Sequence, residues 1–288
     1  MSSSKQINLI LNPIGMTCAS FVIISIVGIA IINRQLANRM TVRLIAVIAL
    51  TDLLAHVGEY YAITHSTLTA GTPACTAVNG FRLFARTFYC WINMAISFHI
   101  YRSLVQLKKT NWKSEVYFWT ATAVFVVAET LVYYGLGAFT GVPARKRCTP
   151  GVDDYSKNLV FILFQSLTNL FTIAVSTFTE EGGDRDHLIN ERRKLAFRSF
   201  LYPLSTIVTL PFEAIFLIFN GFGAYVIELF VVMVIGSGLS GVLTALAFGV
   251  DPATHKSFKT AYYLVKNRNS HKKDLDEQYG LGSNDIQL

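Results

Sequence analysis

Seven long apolar stretches follow one another along the chain, separated by short polar segments. A helix needs about 20 mostly apolar residues to cross the hydrocarbon core of a bilayer, and each stretch is long enough. The second, third and sixth contain ionisable residues, whereas the first, fifth and seventh are almost free of charge. The pattern predicts an all-α integral membrane protein, a seven-transmembrane helix bundle with spans at 14–33, 42–64, 78–104, 116–139, 159–179, 197–220 and 225–250.

A different pattern follows the last stretch. Asp251 and Pro252 form a helix-start signal, since Asp is a good N-cap and Pro suits the first turn. Phe258 and Tyr262 then share one helical face beside the basic Lys259. This predicts a short amphipathic helix on the inner membrane surface. The chain thus divides into a short extracellular N-terminus at 1–13, the helix bundle at 14–250, the membrane-parallel amphipathic helix at 251–266 and a disordered cytoplasmic tail at 267–288.

Composition agrees with a membrane protein and argues against other classes. Of the 288 residues, 52% are hydrophobic and only 15% are charged, whereas a typical soluble domain has about 25% charged residues. The net charge of +7 comes from basic residues between the apolar stretches. Such residues suit an anionic cytoplasmic membrane surface. The chain is therefore expected to contact the lipid bilayer and neither to bind nucleic acid nor to be an enzyme.

The basic residues also predict the orientation, because cytoplasmic loops carry an excess of Lys and Arg. With seven spans the two termini lie on opposite sides. Placing the C-terminus inside puts 18 of the 25 basic residues on the cytoplasmic side. We therefore expect a multi-pass protein of the plasma membrane with an extracellular N-terminus. Since that N-terminus is too short to form a domain, any ligand is expected to be small and to bind among the helices.

Four cysteines divide into two pairs by position. Cys18 and Cys90 fall within predicted spans, where a thiol behaves as a small apolar group. Cys75 precedes the third span and Cys148 follows the fourth, both on the predicted extracellular side. A disulfide is chemically permitted on that oxidising side. The prediction is a Cys75–Cys148 bridge, and the alternative is two unpaired loop cysteines.

Ionisable residues within the spans are the first candidates for function, because such groups are costly in a membrane. Asp52, His56 and Glu59 lie on one helical face, and Arg82 and Arg86 lie one turn apart on the next helix. A buried pair between Glu59 and either arginine is plausible from their depths. Such a pair could only hold two helices together, or it could form one wall of a polar pocket open to the outside.

More polar residues fall in the outer halves of the later spans. They include two carboxylates, Glu129 and Glu213, and two amides one turn apart, Gln165 and Asn169. Together these residues predict a water-accessible polar cavity in the outer half of the bundle. The predicted ligand-binding residues are Glu59, His56, Arg82, Arg86, Glu129, Gln165, Asn169 and Glu213.

Two further features suggest a switch. Asp52 lies near mid-membrane, where it could bind a cation, accept packing hydrogen bonds from the seventh helix, or be protonated. Pro203 and Pro211 each remove a backbone hydrogen bond and tend to kink the sixth helix, which makes that helix a candidate moving part. The alternative is static kinks, which are common in membrane helices.

Seven spans, the cysteine pair and a membrane-parallel last helix resemble the G-protein-coupled receptor superfamily. Two local motifs resemble its slime-mould cyclic-AMP-receptor-like and fungal carbon-sensing members. One is Leu-Tyr-Pro-Leu at 201–204 followed by Leu-Pro at 210–211, which resembles their sixth helix. The other resembles the end of their third helix and consists of Trp91, Ala95, Ile96, His99 and Tyr101.

The resemblance implies a receptor for a small extracellular ligand whose partner is a heterotrimeric G protein. The chain departs from the rhodopsin-like group, because it lacks Asp-Arg-Tyr at the inner end of the third helix and Asn-Pro-x-x-Tyr in the seventh. A homodimer is left open. The residues expected at the G-protein face are His99, Tyr101, Arg102, Arg192, Arg193 and Lys194.

Other membrane proteins fit less well. A retinal protein needs a lysine in its last helix, and 225–250 contain none. A metal or other cofactor is not expected, because the two intramembrane histidines, His56 and His99, lie near opposite leaflets. A secondary transporter or proton-coupled carrier is the alternative function. It could move protons through Asp52, His56 and Glu59, although no internal repeat is evident.

Overall fold

The computed structural model describes residues 3–37, 40–65, 67–104, 112–142, 148–182 and 201–278. Within those ranges the chain forms helices and no β-strand, so the prediction of an all-helical chain is confirmed. In chain order the helices are α1 (Ser3–Ile32), α2 (Arg34–Ala37), α3 (Met40–Thr64), α4 (Pro73–Leu104), α5 (Trp112–Leu136), α6 (Tyr155–Gly182), α7 (Leu201–Gly221), α8 (Ile227–Val250) and α9 (Pro252–Gln278).

Four of the described helices are long and apolar enough to cross a membrane. They lie at Ser4–Ile32, Trp112–Leu136, Tyr155–Thr177 and Ile227–Val250. α3 and α4 have 25 and 32 residues, but charged side chains interrupt their apolar sequence. The apolar part of α7, Ser205–Gly221, is shorter. The chain therefore has the helices of a multi-pass membrane protein, and the number of seven spans stays a prediction.

The long helices form a closed ring of neighbours in which α4 is central. α1 packs against α3 and α8, α3 packs against α4, and α7 packs against both α6 and α8. α4 contacts α3, α5, α6 and α7, while α5 packs more closely on α4 than on α6. Side chains of α4 can therefore reach partners on four other helices.

The largest apolar cluster of the described residues joins α1, α3, α4, α5 and α8. Val22, Ile48, Ile92 and Phe248 are among its buried members. Since lipid tails are as apolar as these side chains, close packing rather than exclusion of water stabilises such a cluster in a membrane. Small residues permit that packing elsewhere on α8: a Cβ atom at Gly236 would lie 3.3 Å from the backbone oxygen of a residue on α7.

A disulfide ties the start of α4 to the segment that follows α5. Cys75 and Cys148 lie at disulfide distance, with their Cα atoms 5.5 Å apart, as predicted. One turn beyond Cys75, the Asn79 amide donates a hydrogen bond to the Phe139 backbone oxygen at 3.1 Å. The side chain of Asn79 is fully buried. Both contacts fasten the connection between α5 and α6 onto α4.

Two helix boundaries differ from the predictions. α1 begins at Ser3, so most of the predicted N-terminal segment 1–13 is helical. Pro13 lies within this helix and does not end it. α9 extends from Pro252 to Gln278. It is therefore longer than the predicted helix at 251–266, and residues 267–278 are helical where a disordered tail was predicted. Residues 279–288 lie outside the described part of the chain.

Replacing both Cys75 and Cys148 by Ser should lower the free energy of unfolding by about 2–4 kcal/mol, because the bridge closes a loop of 73 residues. The measurement is thermal unfolding of the purified protein in detergent. Cys18→Ser removes an unbridged thiol from α1 and serves as the matched control. Equal melting temperatures for the two variants would contradict a stabilising bridge.

Candidate functional site

The first candidate contact joins α3 and α4 near the disulfide. Arg82 donates from Nε to Glu59 Oε1 at 2.8 Å and from Nη2 to Oε2 at 2.7 Å, a bidentate ion pair. Of the two arginines that Glu59 was predicted to meet, it therefore pairs with Arg82. Arg82 Nη1 also donates to the Cys148 backbone oxygen at 3.3 Å. The Glu59 side chain is 39% exposed, so this pair lies at the edge of the bundle.

A second ion pair lies one turn deeper and joins α4 to α7. Arg86 donates from Nε to Glu213 Oε1 at 3.0 Å and forms a salt bridge with the same carboxylate. Gln165 of α6 donates to Glu213 Oε1 at 3.4 Å. Both charged side chains are largely buried, at 18% and 10% exposure. Glu213 lies two residues after Pro211, inside α7. Its carboxylate therefore joins side chains of α4, α6 and α7.

Glu129 of α5 has a separate set of partners. The Trp91 indole donates to its Oε2 at 2.7 Å, and the Tyr133 hydroxyl donates to its Oε1 at 2.5 Å. The residue is only 5% exposed. Its carboxylate is therefore held between α4 and its own helix, and no arginine of the described ranges forms an ion pair with it.

These groups share a small polar interior between α4, α5 and α6. Arg86, Glu129, Gln165 and Asn169 all border it, but it leaves no room for a water molecule. The Cys90 thiol donates to Asn169 Oδ1 at 3.2 Å, while the buried Asn169 Nδ2 has no hydrogen-bond partner among the described residues. Where a water-accessible cavity was predicted, the described residues place these polar side chains against one another.

His56 does not join this interior. Its Nδ1 lies 2.9 Å from Asn12 Oδ1 of α1. The ring lies against two glycines: a Cβ atom would come within 2.3 Å of His56 Nε2 at Gly15 and within 3.0 Å at Gly241. His56 lies one turn before Glu59 in α3, and its side chain contacts α1 and α8. The prediction that it forms part of the outer ligand pocket is not supported by this placement.

Asp52 also points toward α8. The Thr244 hydroxyl donates to Asp52 Oδ2 at 2.7 Å, and both residues are fully or almost fully buried. Of the roles left open for Asp52, this placement matches the packing hydrogen bond to the last long helix.

The inner ends of the helices hold the residues predicted to face a G protein. His99 is buried and packs edge-on against Phe118, while Tyr101 and Arg102 are half-buried. Pro203 lies in the first turn of α7, which continues through it. The remaining predicted residues of this face, Arg192, Arg193 and Lys194, lie outside the described part of the chain.

Sequence reasoning missed two of the three ion pairs among the described residues. One is the pair of Arg86 with Glu213, and the other joins α3 to α5. Arg43 of α3 donates to Glu115 of α5, with Nη2 2.7 Å from Oε2, and the Trp119 indole donates to Glu115 Oε1 at 3.3 Å. Arg43 was counted only as a basic residue of the cytoplasmic side. The signal that could have found the pair is Glu115, a buried acid among neighbours that are otherwise basic at 108–113.

The described residues include no group of three or more His, Cys, Asp or Glu side chains placed to hold a metal ion. No protein-family model matches the chain, and comparison with curated proteins gives no significant match. The arrangement of polar side chains is therefore the main evidence on function.

Because His56 packs between two glycines, the cost in stability of a Gly→Ala substitution should differ strongly between positions of α8. Gly241→Ala should lower the free energy of unfolding by about 1–3 kcal/mol, because its Cβ would lie 2.7 Å from the Gly15 backbone oxygen. Gly249→Ala is the matched control, since a Cβ there meets nothing within 4 Å. Thermal unfolding in detergent measures both. A control that unfolds as early as Gly241→Ala would contradict the close packing.

Proposed function

We propose that the chain is a plasma-membrane receptor of the G-protein-coupled superfamily, with seven spans, an extracellular N-terminus and a cytoplasmic C-terminus. Within the superfamily we place it nearest the slime-mould cyclic-AMP-receptor-like and fungal carbon-sensing group. It would sense a small extracellular molecule and activate a heterotrimeric G protein. Support comes from the motifs of the third and sixth stretches, the central position of α4 and the Cys75–Cys148 pair.

The observation that carries the proposal is the buried pair of Arg86 and Glu213. It connects the central helix to α7, the helix that contains Pro211, and Gln165 adds a contact from α6. A ligand that offers its own polar groups to these three side chains would compete with the pair. It would thereby favour a second arrangement of α7 relative to α4.

The energies are of the right size for a switch. Removing one partner of a buried ion pair costs about 3–5 kcal/mol. Moving a two-state equilibrium from 1:99 to 99:1 takes about 5.5 kcal/mol of differential affinity. A ligand that replaces both halves of the Arg86–Glu213 pair, and also accepts from Asn169 Nδ2, which has no partner among the described residues, would gain several polar contacts in one state only.

Glu213→Gln should raise ligand-free nucleotide exchange on the cognate G protein roughly fivefold or more, the effect of a coupling of about 1 kcal/mol. The reason is that the neutral amide weakens the contact that holds α7 against α4. The measurement is nucleotide exchange on a panel of G proteins with the receptor in nanodiscs. Glu228→Gln, which removes an exposed carboxylate at the start of α8, is the matched control.

A charge exchange makes this test sharper. The double variant Arg86→Glu with Glu213→Arg should return exchange toward the native rate, because it restores an ion pair between the same helices. If every folded variant, native chain included, gives no exchange with any G protein, the receptor proposal fails. If Glu213→Gln and Glu228→Gln raise exchange equally, the ion pair is not the switch.

A proton-coupled carrier is the second candidate, because Asp52, His56 and Glu59 lie one above another over about 10 Å of α3. The dye pyranine, trapped in sealed vesicles, would report proton flux. Flux that stops with Asp52→Asn would favour the carrier. The receptor proposal instead expects no flux, together with exchange that falls in Lys194→Glu, because the sequence places Lys194 on the cytoplasmic side.

A further inference from the structure

A groove on the outer surface of the bundle is distinct from the polar interior described above. It has a volume of about 350 Å³ and lies between α5 and α6, with Trp91 of α4 and Glu129 of α5 at its floor. Phe125 and Val132 form one wall, and Leu167 and Phe171 form the other; all four are exposed. Both walls belong to helices that are long and apolar enough to cross a membrane. In a bilayer the groove would therefore open to lipid.

The floor of the groove is polar, unlike its walls. Glu129 lies there beside Trp91, whose ring stacks on Phe125 with the centroids 4.3 Å apart. Each Glu129 oxygen accepts one hydrogen bond from the protein. A carboxylate oxygen has two lone pairs, so each can accept a second donor. A hydrogen-bond acceptor thus lies at the base of an apolar groove.

The depth of this acceptor limits what can reach it. Glu129 lies seven residues before the end of α5 at Leu136, about 10 Å along the helix. In a bilayer centred on the 25 residues of α5, Glu129 lies about 8 Å from the midplane and therefore in the hydrocarbon, where a phospholipid offers acyl chains and no donor. The volume exceeds by more than twofold the roughly 150 Å³ of a cavity that holds benzene. An occupant therefore needs a sizeable apolar body and a small donor group.

We propose that the groove binds a membrane-dissolved amphiphile, a long-chain alcohol whose chain lies between α5 and α6 and whose hydroxyl donates to Glu129. The site is reached from the bilayer and not from the extracellular solution. The proposal depends on α5 and α6 being in the membrane, and it does not depend on coupling to a G protein.

The test is photolabelling in phosphatidylcholine nanodiscs with a hexadecanol that carries a diazirine on its chain. The matched probe is its O-methyl ether, which has the same apolar body and no donor. Labelled peptides are mapped by mass spectrometry. At equal amounts in the bilayer, the alcohol should label the α5 and α6 walls about tenfold more than the ether, the effect of one well-formed hydrogen bond.

Variants separate the groove from the general lipid surface. Leu167→Trp fills the groove and should abolish the preference for the alcohol, and Ala128→Leu is a second filling variant if the first fails to fold. Leu170→Trp places the same ring on an exposed part of α6 outside the groove and should leave labelling unchanged. Equal labelling by both probes would mean that ordinary lipid fills the groove, and the absence of label from the α5 and α6 walls with both probes would mean that another protein surface covers them. Either result overturns the proposal, and neither bears on nucleotide exchange.

Discussion

Polar side chains inside a helical membrane protein must find partners within the protein, because lipid offers none. α4 meets this requirement with a different helix at almost every turn. Arg82 pairs with α3, Arg86 with α7 and Trp91 with α5, while Ser97 lies 3.1 Å from a serine hydroxyl of α6. These polar contacts therefore specify which helices lie next to α4, and apolar side chains pack between them.

Such contacts specify an arrangement more than they stabilise it. A buried ion pair often contributes little relative to apolar residues of the same size, yet breaking it by removing one partner is costly. Arg86 and Glu213 therefore favour one relative position of α4 and α7 and penalise intermediate positions. Pairing also allows several charged residues to lie in the interior of the bundle.

The sequence reasoning succeeded for features that depend on one helix or on two helices consecutive in the chain. It failed for side chains whose partner lies on a helix distant in the sequence. Hydropathy located the apolar helices α1, α5, α6 and α8, and depth counting placed Glu59 beside Arg82 as one of two options. The same periodicity put His56 on the face of Glu59, but an α-helix turns by about 100° per residue and a shared face is broad. Which neighbouring helix contacts each part of that face depends on the order in which the helices pack around the bundle. Asn12, the partner of His56, lies 44 residues away on a helix whose apolar sequence does not point to such a contact.

Glu129 connects the polar interior of the bundle to its lipid-facing surface. It borders both the interior and the groove, as does Thr168 of α6. A donor that reaches Glu129 from the groove would alter the hydrogen bonds that Glu129 accepts from Trp91 and Tyr133. Trp91 lines the groove and Tyr133 lines the polar interior. Arg86 borders the same interior, so Glu129 lies between the lipid-facing groove and the side chain that pairs with α7.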